Sequence, residues 1–172
     1  MTDWTQITLR LLHIFAGVFW AGTLFFVYQF LAPALGGSGA AGDIVVQQLM
    51  LKRKMGIAIP MTALLTIVTG AAMYWRNISL SSGAWAHSRP AGVYGLGAFT
   101  GIVSLIVGGT MIGPGFQAII KIQLESQTGG TPLTPEQMNK IGGYRRRIGI
   151  AMRITTLGLA ITVITMAIGR YM

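Results

Sequence analysis

The sequence contains no cysteine. This absence excludes disulfide bonds, thiolate metal sites, iron–sulfur clusters and the covalent attachment of c-type haem. Acidic residues are also scarce, because only four of the 172 residues carry a carboxylate side chain and all four lie outside the apolar segments. Intramembrane hydrolases and proton-coupled pumps depend on buried acids, so neither class is indicated. No Ser–His–Asp set, HExxH motif or phosphate-binding glycine loop is present.

Apolar sequence, by contrast, is abundant. Hydrophobic residues make up 52% of the chain and charged residues only 10%, a composition typical of an integral membrane protein. Four apolar runs are each long enough to cross a hydrocarbon core of about 30 Å as a helix. These runs are Thr8–Leu31, Ile57–Trp75, Ala91–Gly113 and Ile148–Arg170. The sequence therefore predicts an all-α integral membrane protein, a four-helix bundle in which residues 1–172 form a single domain.

The distribution of basic residues predicts the orientation. Nine of the thirteen lie in or beside the first and third connections, and four lie at the other ends of the spans. By the positive-inside rule the side with nine is cytoplasmic, so both termini are expected on the periplasmic or outer side of the bacterial inner (plasma) membrane. The net charge of +9 then reflects contact with lipid headgroups, and binding of nucleic acid is not expected.

The connections between the spans carry helix signals of their own. In the first connection, Asp43 is expected to start a helix that runs on into the second span. In the third, Phe116–Leu124 is expected to extend the third span into the cytoplasm. Thr134 followed by Pro135 and Gln137 has the pattern of an N-cap with a capping box. The helix that starts there either runs through Gly142-Gly143 or hinges at this pair.

The first span carries the most distinctive candidate site, because His13 lies inside an apolar run. Counting by three and four residues along a helix brings several residues onto the face of His13. They are Arg10, His13, Gly17, Trp20 or Ala21, and Leu24. An imidazole with a cation one turn above and a glycine one turn below is a plausible seat for haem, a flat and anionic ligand.

A second axial ligand, and partners for the haem propionates, are expected at the outer-facing ends of the spans, the level at which His13 lies. His87, in the second connection, is the only other histidine, and it is the possible second ligand. Arginine pairs with carboxylates in a bidentate manner, and four arginines are predicted at this level. They are Arg10, Arg76, Arg89 and Arg170. The alternative for each of them is that the arginine only extends its guanidinium to the membrane surface and binds no ligand.

The first span resembles known membrane proteins at the level of a motif. It reads His13-IFA-Gly17-VF-Trp20-A-Gly22-TLFF, which is similar to the HxxxGxxWxGxLFF pattern of HemJ-type protoporphyrinogen oxidases, CopD-like copper-resistance proteins and the membrane domain of bacterial urate oxidases. The second span, with its basic entry, Pro60 and later Gly70, resembles the HemJ pattern. The terminal MAIGRY resembles the helix ends of CopD-like small proteins. The resemblance covers about half of the chain and implies that His13 is the haem-linked histidine, with Trp20 packed nearby. The third span lacks the lysine and histidine that HemJ-type enzymes carry there.

Four functional hypotheses follow. The first is a haem b-binding membrane redox protein or redox subunit with its haem near the outer face. The second is a non-catalytic accessory subunit of a larger respiratory or photosynthetic complex, in which His13 forms only a hydrogen bond between helices. HemJ-type protoporphyrinogen oxidation and CopD-like copper handling are the third and fourth. The expected partners are the lipid bilayer and either other membrane subunits or further copies of the chain.

Overall fold

The structure, a computed structural model, describes residues 3–172; Met1 and Thr2, the first residues of the predicted domain, lie outside this range. Within residues 3–172 the chain is almost entirely helical and has no strand. We number the continuous helices in chain order. They are α1 (Trp4–Gly37), α2 (Ala40–Gln47, continued directly by the π-helical turn Gln48–Lys52), α3 (Met55–Leu80), α4 (Arg89–Thr128) and α5 (Pro135–Tyr171). A short 3₁₀ turn, Ala84–His87, precedes α4.

Four of these helices, α1, α3, α4 and α5, are long and apolar enough to cross a membrane. This confirms the four membrane-length helices predicted from the apolar runs. The helices extend beyond the predicted spans at both ends, and the longest extensions are those of α4 beyond Gly113 and of α5 before Ile148. The predicted extension over Phe116–Leu124 is confirmed, and α4 runs on to Thr128.

The predicted start of the last helix is also confirmed. The Thr134 hydroxyl accepts a hydrogen bond from the Gln137 backbone N–H at 3.2 Å, and the Gln137 side chain accepts one from the Thr134 N–H at 2.9 Å. This reciprocal pair is a capping box. Of the two alternatives at Gly142-Gly143, the structure shows the first, since α5 continues through both glycines without interruption.

The first connection differs from the prediction. The expected helix from Asp43 into the second span is wrong at both ends, because α2 begins at Ala40 and the helix stops after a π-helical turn at Gln48–Lys52. Lys54 then adopts the left-handed conformation, with φ 53° and ψ 31°. Its carbonyl accepts the N–H of Ile57 at 2.9 Å, so α3 starts as a separate helix. Nothing in the composition of this basic segment signals a left-handed lysine.

The long helices associate mainly as two pairs, α1 with α3 and α4 with α5. A buried apolar cluster joins the pairs through Trp20, Leu24, Ala63 and Leu159. A second cluster lies towards the polar extensions and includes Val27 and four residues of α4 and α5. Helices in lipid gain little from burying apolar surface, so close packing and interhelical hydrogen bonds stabilise such contacts.

The outward faces of the long helices are strongly apolar. Phe15 is 82% exposed, Val18 68% and Phe99 64%, values that a water-soluble surface would rarely combine. The same helices bury small or hydroxyl-bearing residues against one another, such as Ser104 and Thr155. This arrangement, with large apolar side chains outside and small polar ones inside, agrees with the hydropathy of the four spans.

Candidate functional site

His13 lies at the contact between α1 and α3 and is half-buried. Its Nδ1 is 2.8 Å from the backbone carbonyl oxygen of Thr66 and 3.5 Å from the hydroxyl of Thr69. A carbonyl oxygen only accepts hydrogen bonds, so the Nδ1–H of His13 donates to Thr66. In a neutral imidazole this bond leaves the lone pair on Nε2, the nitrogen that is then able to bind a metal.

Gly70 allows the imidazole to lie against α3. A Cβ at this position would come 2.8 Å from Cε1 and 3.1 Å from Nδ1 of His13. Any other residue would therefore displace the ring or the helix. In the sequence Gly70 is only the later glycine of the second-span pattern, and nothing there identifies it as the contact of His13.

Gly17 has a similar role one turn further along α1. The methyl group of Thr66 lies 3.3 Å from the position of a Gly17 Cβ. The space predicted next to His13 is thus filled by a side chain of α3. Sequence reasoning missed Thr66 and Thr69; the signal available was a threonine one turn before the glycine of the second span.

Trp20, Ala21 and Leu24 lie on the predicted face of α1, and this face packs against the other long helices. Trp20 is 3% exposed and belongs to the buried cluster with Ala21 and Leu24. Arg10, by contrast, is exposed. The predicted face therefore contains His13, Gly17, Trp20 and Leu24 in helix contacts, while Arg10 lies at its edge.

An ion pair joins the same two helices at the end nearest to His13. The Arg76 guanidinium lies 2.6 Å from a carboxylate oxygen of Asp3, and Asp3 is also the N-cap of α1, accepting the Gln6 backbone N–H at 3.1 Å. The hydrogen bond from Arg76, followed by that from Gln6, lowers the pKa of Asp3 below its ordinary value. Arg76, a predicted partner of propionates, is thus engaged with Asp3, and sequence reasoning missed this pairing.

The remaining predicted residues, His87 and Arg170, are both exposed. His87 is exposed at the end of the 3₁₀ turn, which packs on α3 and α4. In the described part of the chain no hydrogen bond or ring contact joins His87 to His13. Arg170 is exposed and lies over the ring of Tyr171, 5.2 Å from its centroid. Among residues 3–172 no three histidine or carboxylate side chains come together as a metal site, so His13 is considered as a single ligand.

Aromatic residues fix the turn that carries His87. Trp85 packs edge-on against Tyr74 at 4.9 Å between ring centroids and stacks on Tyr94 at 6.3 Å. The Tyr74 hydroxyl donates to the carbonyl of Ala91 at 3.2 Å. The turn between α3 and α4 is therefore anchored by ring contacts of a size that stabilises proteins by about 1 kcal/mol each.

A cavity of about 200 Å³ lies among the four long helices on the other side of Trp20 from His13. It contains no histidine, and its volume is below the range of roughly 300–1,000 Å³ that is usual for small-molecule sites. Comparisons of the chain with protein-family models, with curated proteins and with solved structures gave no match. The resemblance of the first span to HemJ-type and CopD-like proteins therefore stays a prediction.

Proposed function

We propose that the protein is a haem b-binding redox protein, or redox subunit, of the bacterial plasma membrane, in which Nε2 of His13 would hold the iron. The observation that carries the proposal is the hydrogen bond from Nδ1 of His13 to the Thr66 carbonyl. Histidines that bind metals typically donate their other N–H to a carbonyl or carboxylate, which fixes the tautomer and the ring orientation. Bound haem would supply one-electron transfer.

The residues around His13 fit supporting roles in this proposal. Gly17 and Gly70 allow α3 to approach α1 closely, and this approach brings the Thr66 carbonyl to the imidazole. Trp20 is buried one turn beyond Gly17 and keeps water from that side of the helix contact. Arg10 and Arg170 are exposed and are the proposed partners of propionate groups.

The proposed orientation has both termini outside, with the four helices crossing the bilayer as one bundle. It is supported by the nine basic residues in and around the first and third connections, against four at the opposite ends. The helical extensions of α4 and α5 would then lie in the cytoplasm. Tags at the two termini test this orientation: accessibility only from the cytoplasmic side would contradict it.

The visible spectrum of the protein purified in mild detergent tests haem binding. We expect a Soret band that shifts on reduction, that is lost in His13→Ala and that is retained in His87→Ala. The second variant is a matched control, because it removes the other histidine of the chain. A folded wild-type protein without a Soret band, reconstituted with haem and still colourless, would contradict the proposal.

The second candidate is an accessory subunit of a larger membrane complex. It is favoured by the same hydrogen bond, since an imidazole that joins two helices stabilises the fold without any cofactor. It predicts a colourless protein that purifies with larger subunits, and a His13→Ala variant that is only less stable. A colourless wild-type protein, with a His13→Ala variant that differs from it only in thermal stability, would favour this candidate.

A further inference from the structure

The cavity behind Trp20 lies near the end of the spans that carries most of the basic residues, since Met50 and Met55 line it. Its walls are apolar apart from Ser104 and Gln117, and they include Gly108 and Met152 from α4 and α5. Gly108 opens a π-helical turn of α4, Gly108–Ile112. A π turn widens a helix locally and is often found at functional sites. The wide turn, together with the lack of side chains at Gly108, Gly109 and Gly113, leaves an apolar space between the packed helices.

Three cations lie next to this space. Met50 and Met55 both line the cavity, and the residues between them include Lys52, Arg53 and Lys54, all of them exposed. The left-handed conformation of Lys54 produces the turn between the π-helical segment and α3. Along the chain, the three cations are therefore no more than about one helical turn from residues that line the cavity.

We propose that this cavity binds one acyl chain of an anionic phospholipid, whose headgroup lies against Lys52, Arg53 and Lys54. An apolar space with cations at its edge matches an amphiphile with a negative head. The volume of about 200 Å³ suits part of a single chain better than a ring cofactor, since complete small-molecule sites are usually larger, roughly 300 Å³ or more. This inference uses neither His13 nor the arginines near it, so it does not depend on haem binding.

Trp20 provides the test, because its ring lines the cavity and is only 3% exposed. A protein with Trp4→Phe, Trp75→Phe and Trp85→Phe retains Trp20 as its only fluorescent indole. Phospholipids with brominated acyl chains quench tryptophan on contact. We expect brominated phosphatidylglycerol to quench Trp20 at a mole fraction about tenfold lower than brominated phosphatidylcholine, because three cations favour the anionic headgroup.

Filling the cavity supplies the first matched pair of variants. Gly108 lines the cavity and has no atom within 4 Å of its Cβ position, so Gly108→Leu adds a side chain at the cavity wall without a clash at Cβ. We expect it to abolish quenching of Trp20. Gly22→Leu is the control, because Gly22 is also open but does not line the cavity. Quenching that persists in Gly108→Leu would overturn the proposal.

Removing the cations supplies the second pair. We expect Lys52→Gln, Arg53→Gln and Lys54→Asn together to remove the preference for phosphatidylglycerol. The control removes three cations from α5, through Arg146→Gln, Arg147→Gln and Arg153→Gln, and should retain the preference. An equal loss in both triple variants would show a general effect of charge and overturn the assignment of the headgroup site.

Two further results decide the identity of the ligand. Equal quenching by phosphatidylglycerol and phosphatidylcholine, or stronger quenching by a brominated free fatty acid, would overturn the phospholipid assignment.

If the protein with Trp20 alone does not fold, native mass spectrometry of the wild type and Gly108→Leu replaces fluorescence. Retention of one anionic phospholipid by the wild type only is then expected, and equal retention by both would overturn the proposal.

Discussion

The two helix pairs are held together in different ways. Between α4 and α5 the contact is continuous and made of small residues: Gly158 faces the Ser104 hydroxyl, and the Thr162 hydroxyl lies 3.1 Å from the Gly97 carbonyl and 2.8 Å from the Thr100 hydroxyl. Small residues that allow backbones to approach, with hydroxyl groups between them, are typical of stable membrane helix contacts.

Between α1 and α3 one titratable side chain forms the polar contact within the spans. His13 donates to Thr66, and Gly17 and Gly70 give the two helices the room to do so. The hydrogen bond from His13 uses only Nδ1, so the other ring nitrogen, Nε2, has no partner in this contact. The α4–α5 contact therefore has several hydroxyl groups in its polar part, whereas the α1–α3 contact within the spans depends on one histidine.

The largest effect is expected from overpacking the α4–α5 contact. In Gly158→Leu the new side chain would overlap the Ser104 hydroxyl and approach the Thr100 carbonyl. We expect a destabilisation of about 1–3 kcal/mol, seen as a lower melting temperature in detergent. Gly149→Leu is the control on the same helix, because nothing lies within 4 Å of its Cβ position. Equal melting temperatures for the two variants would contradict the described contact.

A smaller and more specific effect is expected from Gly70→Ala. The added methyl group would come 2.8 Å from Cε1 of His13, so the ring must move and its hydrogen bond to Thr66 weakens. We expect a loss of about 1 kcal/mol in stability together with a change in any haem spectrum. Gly22→Ala, at an open position of α1, should change neither. A spectral change equal in both variants would argue against an effect through His13.

The smallest effect is expected from the ion pair between Asp3 and Arg76. Because Arg76 lowers the pKa of Asp3 from its ordinary value of 3.8, the pair contributes stability that is complete above about pH 5 and is lost as the pH falls through the lowered pKa. Since both groups are partly exposed, the contribution is small. Asp3→Asn should remove this part of the acid dependence, and an unchanged pH profile would contradict it.

Much of the fold could be predicted from the sequence because it depends on local patterns. Apolar runs predicted four membrane-length helices, and Thr134 with Gln137 predicted the start of α5. The break at Lys54 could not be predicted, because a lysine rarely adopts the left-handed conformation and no glycine or asparagine marks this position.

The candidate site was predictable in part. The period of α1 identified the buried face of His13, Gly17 and Trp20, because burial follows helical spacing. The partner of that face depends on which helices meet and in what register, and a short apolar sequence does not encode this. For this reason Thr66, which fills the space at Gly17 and accepts the hydrogen bond of His13, appeared only in the structure.

The proposed role of His13 is tested most directly by chemical rescue. His13→Gly removes the imidazole and leaves a space beside Gly70, so free imidazole added to the variant can occupy it. If His13 binds haem iron, the Soret band is lost in His13→Gly and returns with added imidazole, while His87→Gly retains it throughout. A Soret band that is unchanged in His13→Gly, or that free imidazole fails to restore in the folded variant, would contradict axial ligation by His13.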